Sequence, residues 1–548
     1  MEREFTYDVS MFRETFESEF TYLNGFLRNV SRFGDAPALH DPQSGRRWTY
    51  RELNAEANRL AHALRADGVG KNDVILFALL NSPEFVFCYL AAHKIGAIAC
   101  PVNYRQGAGE IAQMLDDSRP KVFVYDGEFG VLSNEACRIA EHHPTRVIMV
   151  ESRKGGDAPD GTLRFGEYVA GQPSDNPPID FHPHIYDETT RLYTSGTTSR
   201  PKGVPINNIN EVLSAHDVMM HFPLSPSDRT MNMTPWFHRG GIHSGGPCPT
   251  LYAGGEVVIL RDFHPRTCLE YTEKYQITFL IGVPTILSML ARMQERTPYD
   301  LSSLHGIVTM GAPFEKAACE KYMKLLTPRI FNGYGTTETF WNTFLSPDDL
   351  PEMSGSAGRS CTDDDVRVVW LHEDGSHADP DEMVPRDGET AGEVIIRSPA
   401  KSAFCYVHQP ELTAQKFDRG WMYTGDVATW NQQEFITICG RKDDMIVSAG
   451  ENIYPAQIEA VLNEHPKVAE SAVIGIPDAL RGEVVAAYVV AADESLTAEE
   501  LKRYCIQSPM LSSYKWPRSF TLVKELPHTA TGKLMHYKLR QQIMKQQN

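Results

Sequence analysis

Apolar and polar positions along this chain follow two alternating periods. Thr49 and Glu52 form a Thr-x-x-Glu capping pattern, and Leu53, Leu60 and Leu64 follow at helical spacing. This predicts a helix that stops at Gly68. The unbroken apolar run 74–80 reads as a buried strand. Asn81-Ser82-Pro83 opens another helix, with proline suited to its first turn, and Gly96 ends it. Segments 97–102, 121–125 and 146–150 read as further strands. Strands alternating with helices imply a largely parallel sheet covered on both faces. Residues 151–185 are polar and rich in Gly, Pro and Asp, and read as loop. The alternation resumes over 205–300, and 371–391 is a second, acidic loop. Strand patterns then dominate, at 392–397 and 434–438.

From about residue 441 the pattern becomes that of a small α+β unit. A helix is expected over 454–463, strands over 472–475, 484–490 and 519–523, and a capped helix from Thr497 with Glu500. That length suffices for an independent domain. The expected division is a large N-terminal α/β domain, 1–440, with mostly parallel sheets flanked by helices, and a small α+β domain, 441–548.

Composition narrows the classes. At 548 residues the chain exceeds what one core usually needs. Lys and Arg number 53 against 71 Asp and Glu, a net charge of −18. That balance argues against a nucleic-acid binder, which carries a basic footprint. Hydrophobic residues are 42% and charged residues 23%, which excludes general disorder. No two of the 10 cysteines are closer than 12 positions, so there is no CxxC pair for a zinc knuckle or redox dithiol. Free thiols in a reducing compartment are expected. The longest charge-free apolar stretch, near 277–291, contains Pro284 and is shorter than the ~20 residues a bilayer requires. The charged start lacks the apolar core of a signal peptide, so a cytoplasmic location is expected.

The sharpest local feature is Tyr193-Thr-Ser-Gly-Thr-Thr-Ser-Arg-Pro-Lys-Gly203. Glycine lets backbone approach an anion, hydroxyls and amides donate to phosphate oxygens, and Lys202 adds a point charge. It is not a Walker loop, because Pro201 precedes Lys202 and Gly203 follows it. By composition alone it also fits a solvated polar loop.

This segment resembles the signature of the adenylate-forming superfamily: acyl-CoA synthetases, luciferases and peptide-synthetase adenylation domains. Four more segments resemble its motifs in the same order. They are Asn332-Gly-Tyr-Gly-Thr-Thr-Glu338, Trp421-Met-Tyr-Thr-Gly-Asp426, the pair Gly440-Arg-Lys-Asp-Asp-Met-Ile446 and Gly450-Glu-Asn-Ile-Tyr-Pro455, and Pro527-His-Thr-Ala-Thr-Gly-Lys533. Ser199 stands where the family usually has Gly, and His536 where it often has Arg or Lys.

The resemblance implies an AMP-forming ligase. A carboxylate attacks the α-phosphorus of ATP, and the thiol of coenzyme A then displaces AMP. Thr194, Ser195, Gly196, Thr197, Thr198 and Lys202 would cradle the departing pyrophosphate. Glu338 would hold Mg²⁺, which prefers a carboxylate plus phosphate oxygens. Thr337 would bond the α-phosphate beside Thr336 and Gly335. Tyr334 would lie against adenine, with Gly311, Ala312 and Pro313 on its other side. Asp426 would accept from the ribose hydroxyls, with Arg441 nearby. Lys533 would bridge the reacting carboxylate and the α-phosphate. Asp443 sits where family members hinge. Rotation of the mobile C-terminal domain there would withdraw Lys533 and bring Ala449, Gly450, Glu451 and Asn452 to line the coenzyme A channel.

Residues 235–246 resemble the acyl-pocket region. His238 matches a gating position that holds His or an aromatic. Trp236, Gly241, His243, Gly282, Gly333, Phe340 and Trp341 are further wall candidates. The stretch Trp236-Phe237-His238 lacks the Asp that pairs with an α-amino group in peptide-synthetase domains, which disfavours amino acids. The expected substrate is an apolar ring acid such as benzoate or cyclohexanecarboxylate. Alternatives are a medium-chain fatty acid, a carrier protein as the acyl acceptor, or a non-catalytic nucleotide binder. Partners are then small molecules, with no nucleic acid and no membrane span, in a monomer or homodimer.

Overall fold

The computed structural model describes residues 5–152, 156–194, 201–312, 314–372, 376–448, 451–478, 482–508, 511, 515–528 and 534–547. Among these, the strands form four sheets. The capping box at Thr49 starts the helix Tyr50–Ala66, with Thr49 and Glu52 bonding reciprocally. The apolar run forms the strand Val74–Ala78, buried along its length. Helix Pro83–Ile95 has proline in its first turn and ends at left-handed Gly96. All but one of its residues are buried, as expected for a helix between two layers.

A seven-stranded sheet carries strands Val74–Ala78, Ile98–Pro101, Val122–Asp126 and Arg146–Val150 as a parallel interior. The antiparallel hairpin Glu188–Thr194 and Lys202–Asn207 forms one edge. A nine-stranded sheet has parallel neighbours Arg229–Asn232, Phe279–Gly282, Gly306–Met310 and Ile330–Thr336. Phe340–Leu345 then returns antiparallel to Ile330–Thr336. The largest apolar core joins both sheets, with Ile75 and Phe77 from one and Leu39 and Val257 from the other meeting across Phe85 and Leu90. Burying both faces of parallel strands explains their continuous apolar runs.

A five-stranded antiparallel sheet holds Asp365–Val369, Gly392–Arg397, Trp421–Trp430 and Ile436–Arg441. The chain then passes through a short turn, Lys442–Asp444, into a separate sheet of Ile446–Ser448, Glu451–Ile453, Val468–Asp478, Gly482–Ala491 and Ser519–Val523. This sheet has its own apolar core around Ile446, Ile458, Val485 and Leu501.

The structure departs from the pattern in four places. Residues 151–185 are not wholly loop, since a short strand Leu163–Arg164 leads into helix Phe165–Val169. Helices Ser10–Glu19 and Tyr22–Arg32 precede the first expected element, and helix His536–Gln547 ends the fold. The two long C-terminal strands, Val468–Asp478 and Gly482–Ala491, exceed the expected runs, because their antiparallel pairing extends through polar residues such as Glu470 and Glu483. No helix among the described residues is long and apolar enough to cross a membrane.

Candidate active site

Residues flanking the hydroxyl-rich loop are fixed by the hairpin, in which Thr194 pairs with Lys202. Ser195, Gly196, Thr197, Thr198 and Ser199 lie outside the described residues. A second segment closes on this hairpin: Val407 N donates to Gly203 O at 2.9 Å, and Gln409 Nε2 donates to Pro201 O at 2.7 Å. Lys202 is 9% exposed. Burial, and then neighbouring Lys416, lower its pKa while Glu338 pulls the other way. An ammonium in this setting is short of counter-charge, which suits it to a polyanion.

Strand Ile330–Thr336 and the turn after it carry the next groups, Tyr334 and Glu338. Tyr334 Oη donates to Asp426 Oδ2 at 2.7 Å, and Arg441 Nη1 donates to Asp426 Oδ1 at 2.8 Å. Asp426 and Arg441 face each other because Trp421–Trp430 and Ile436–Arg441 pair antiparallel in that register. Burial and the adjacent Asp426 push the Tyr334 phenol pKa well up. Glu338 is 8% exposed, and its Oε1 accepts from Tyr406 Oη at 2.5 Å. Tyr406 was not anticipated. It reaches Glu338 across 68 positions from an irregular segment with no periodic signal.

Gly311 takes a left-handed φ of +81° at the end of strand Gly306–Met310, with Ala312 following and Pro313 outside the described residues. Asp443 Oδ2 lies 3.9 Å from Arg441 Nη2, in the turn that joins the third sheet to the last.

Next to Thr336 and Thr337 is a cavity of about 170 Å³. His238, Gly241, Gly333, Phe340 and Trp341 line it, together with Arg239, Met310 and Gly311. Phe340 and Trp341 stack at 5.0 Å. The indole Nε1 of Trp341 sits 3.0 Å from where a Cβ on Gly333 would be, so a side chain there would have to push the indole aside by a few tenths of an ångström. Arg239 is the one formally charged group lining the cavity among the described residues.

Three expected wall residues sit elsewhere. Trp236 is 1% exposed and packs edge-to-face on Phe85 at 5.5 Å, inside the first core. A Cβ on Gly282 would point at Met233, Ile286 and Leu287. His243 turns away and donates from Nε2 to Glu211 Oε2 at 2.6 Å. Tyr89 and Thr190 hydroxyls bond the same buried carboxylate at 2.9 and 2.6 Å. Burial opposes ionisation of Glu211, yet His243, with His93 and the Thr190 hydroxyl, outweighs it and holds the carboxyl well below its usual range. Local helical geometry explains the miss, since successive residues of Arg239–His243 face different neighbours.

His238 is half-buried, and its buried Nε2 has no hydrogen-bond partner among the described residues, so desolvation lowers its pKa to about 4 from an ordinary value near 6.5. Its neutral form is the one the fold favours. That contribution is complete above pH ~6.5 and is lost as pH falls towards 4. The stability advantage of wild type over His238→Gln is therefore expected to shrink through that window. Equal slopes for the two proteins in equilibrium unfolding would contradict it.

A family model described as AMP-binding enzyme matches residues 26–406, and one described as AMP-binding enzyme C-terminal domain matches 457–533. The chain belongs to the AMP-binding enzyme family. This AMP-binding enzyme is 32% identical to a feruloyl-CoA synthase of Amycolatopsis sp, over 90% of this chain and 94% of that one. It is 30% identical to a long-chain-fatty-acid–CoA ligase of Mycobacterium tuberculosis, over 92% and 95%. Among solved structures it resembles the anthranilate CoA ligase AuaEII in complex with anthranoyl-AMP, with a TM-score of 0.87 and 26% identity, covering 96% of this chain and 98% of that one. It is an AMP-forming acid–thiol ligase of the acyl-CoA synthetase type, which uses ATP, Mg²⁺ and coenzyme A.

Glu338 is a nearly buried carboxylate whose charge acts on Lys202, and it fits an ion that takes one or two carboxylates and phosphate oxygens. Glu338 would hold magnesium there, and the ion would supply charge neutralisation to the phosphates. Among the described residues two trios, the buried Glu211–His243–Cys248 and Asp217–His221–Cys361 with His221 partly exposed, also place possible ligands together. In the first, the 2.6 Å contact between His243 and Glu211 is a hydrogen bond, with no space for an ion between them. In the C-terminal unit, strands Ile446–Ser448 and Glu451–Ile453 pair across 449–450. Ala449, Gly450 and Lys533 lie outside the described residues, and of Glu451 and Asn452 only the strand placement is described.

Proposed function

We propose that this ligase activates a small apolar ring carboxylate of the benzoate or cyclohexanecarboxylate kind. The carboxylate oxygen attacks the α-phosphorus and pyrophosphate leaves. The coenzyme A sulfur then attacks the acyl carbon and AMP leaves. The cavity is the observation that carries the reading. A cavity of about 150 Å³ accepts benzene, and this one is about 170 Å³, walled by Phe340, Trp341 and Met310. An extended fatty chain finds less support in so small a volume. Among the described residues its lining has no Asp or Glu, which supports a substrate without an ammonium group. Arg239 in that lining favours an acid.

In this reading Asp426 and Arg441 hold the ribose, Tyr334 and Gly311–Ala312 flank the base, and Lys202 with the 194–198 segment holds the leaving pyrophosphate. Thr337 and Glu338 address the α-phosphate and its metal. Lys533 adds the charge that lets two anions meet. Asp443 is the hinge, and 449–452 approach coenzyme A after rotation.

The test is acid-dependent pyrophosphate release with ATP and Mg²⁺. Benzoate, cyclohexanecarboxylate, octanoate and amino acids are compared, with and without coenzyme A, and Lys533→Ala is the control. Turnover with a ring acid, dependent on coenzyme A and lost in Lys533→Ala, is expected. A larger kcat/KM for octanoate overturns the ring-acid reading. Product formed only on a carrier protein overturns the acceptor.

A further inference from the structure

Two buried cations stand at the cavity, Arg239 in its lining and Lys401 bonded to the backbone of Trp341, and neither belongs to the phosphate machinery. Arg239 is 3% exposed. It donates from Nη1 to Thr337 O at 2.5 Å, and from Nη2 to Lys401 O at 3.0 Å and to Ser214 Oγ at 3.4 Å. Lys401 is 1% exposed and donates from Nζ to Trp341 O at 2.7 Å. Its charge is met by Asp217 at 2.9 Å and Asp364 at 2.8 Å. Arg239 differs: among the described residues no carboxylate lies within ion-pair distance of it, and burial lowers its pKa to about 10. A guanidinium left this way costs more than an apolar side chain of its size. What it gains is hydrogen bonds to two backbone carbonyls.

Thr337 O belongs to the segment where the two halves of the site join, as does Trp341 O, which Lys401 holds. Thr337 and Glu338 face the nucleotide side, and Phe340 and Trp341 wall the acyl side. Between them the chain makes a turn that sequence preference does not favour, with Phe340 in the left-handed region at φ +63°. The Phe340 ring has Arg239 5.4 Å from its centroid and Lys401 6.0 Å from it. Thr339 and Asn342 side chains lock the same turn at 2.6 Å, and Asn342 bonds Asp364 at 3.0 Å.

We propose that Arg239 is a positioning residue, which with Lys401 forms a brace holding 337–341 in its strained turn. The metal-side carboxylate and the acyl wall are thereby kept in one fixed relation. Loss of the brace lets Glu338 and Phe340 drift, and a misplacement of about 1 Å costs ~10²-fold in rate. The brace assumes the ligase reading but not the identity of the acid.

The test compares Arg239→Met, Arg239→Lys and Lys94→Met. Lys94 is another buried amine, bonded to Asn54 and Asn176 amide oxygens at 2.6 and 3.1 Å, away from the site. ATP affinity is measured by calorimetry with and without Mg²⁺, which needs no acid. Turnover is then measured per active site with whichever acid wild type accepts. In Arg239→Met the enhancement of ATP affinity by Mg²⁺ should fall several-fold, kcat should fall at least tenfold, and KM for the acid should rise more than KM for ATP. Arg239→Lys, able to reach one carbonyl, should recover part of this. Lys94→Met should lower Tm and leave these ratios at the wild-type value. A folded Arg239→Met whose Mg²⁺ enhancement is unchanged overturns the brace. So does an equal change in Lys94→Met, which would make it a general effect of losing a buried basic side chain. Wild type silent with every ring acid would instead overturn the substrate reading, and the calorimetric comparison would still decide the brace.

Discussion

Asp426→Asn is expected to lower kcat/KM for ATP by about 10²-fold, mostly through KM, with a small fall in Tm. The two oxygens of Asp426 have different donors, Tyr334 Oη at 2.7 Å and Arg441 Nη1 at 2.8 Å. An amide offers one acceptor where two are needed, and turns a donor towards Tyr334 or Arg441. Hydrogen bonds to charged groups contribute about 1.5–3 kcal/mol each, and ten-fold is about 1.4 kcal/mol. Losing one such bond to the protein and weakening those to the ribose reaches the stated size. Tyr334→Phe, which removes one donor and no charge, should cost less. Steady-state kinetics at varied ATP decide it. An Asp426→Asn enzyme with wild-type KM for ATP would remove Asp426 from the ribose site.

Gly335→Ala is expected to cost about 4 kcal/mol or more of stability, and activity with it. A Cβ there would lie 1.6 Å from Phe340 O and 2.6 Å from its carbonyl carbon. Both are backbone atoms, so no side-chain rotation relieves the clash. The turn joining Ile330–Thr336 to Phe340–Leu345 would have to open, moving Tyr334, Thr337 and Glu338 together. Native stabilities are about 5–15 kcal/mol, so soluble yield and Tm should both drop. Gly109→Ala is the control. It lies in helix Ala108–Ser118 with nothing within 4 Å of the added carbon. It should be neutral or stabilise by up to about 1 kcal/mol. Thermal unfolding of the two variants beside wild type checks both. An unchanged Tm in Gly335→Ala would mean that the turn yields more easily than its geometry indicates.

Local signals carried much of the fold. The capped helix at Thr49, the helix between Pro83 and Gly96 and the apolar strand at Val74 follow from spacing, caps and burial on both faces. The 536–547 helix had no strong apolar stripe to mark it, and residues 163–169 hide a strand and helix too short for periodicity. Motif residues were legible as candidates because each sits in a short, unusual string.

Residue types and their order along the chain determined the α/β class, the two kinds of unit and the family, because caps, periods and motif strings are local. Only the tertiary structure decided which of those strings meet. Tyr334 and Asp426 are 92 positions apart, and a hydrogen bond between them requires two sheets to close on one another. Tyr406 reaches Glu338, and Arg239 reaches Thr337 and Lys401, through loops whose course no repeat encodes. The same holds for the cavity. Helix phase turns Arg239 and Gly241 towards it and His243 away, and the packing of Phe340 and Trp341 sets its size. Volume and electrostatic balance are sums over distant neighbours, so they exist only once the chain has folded.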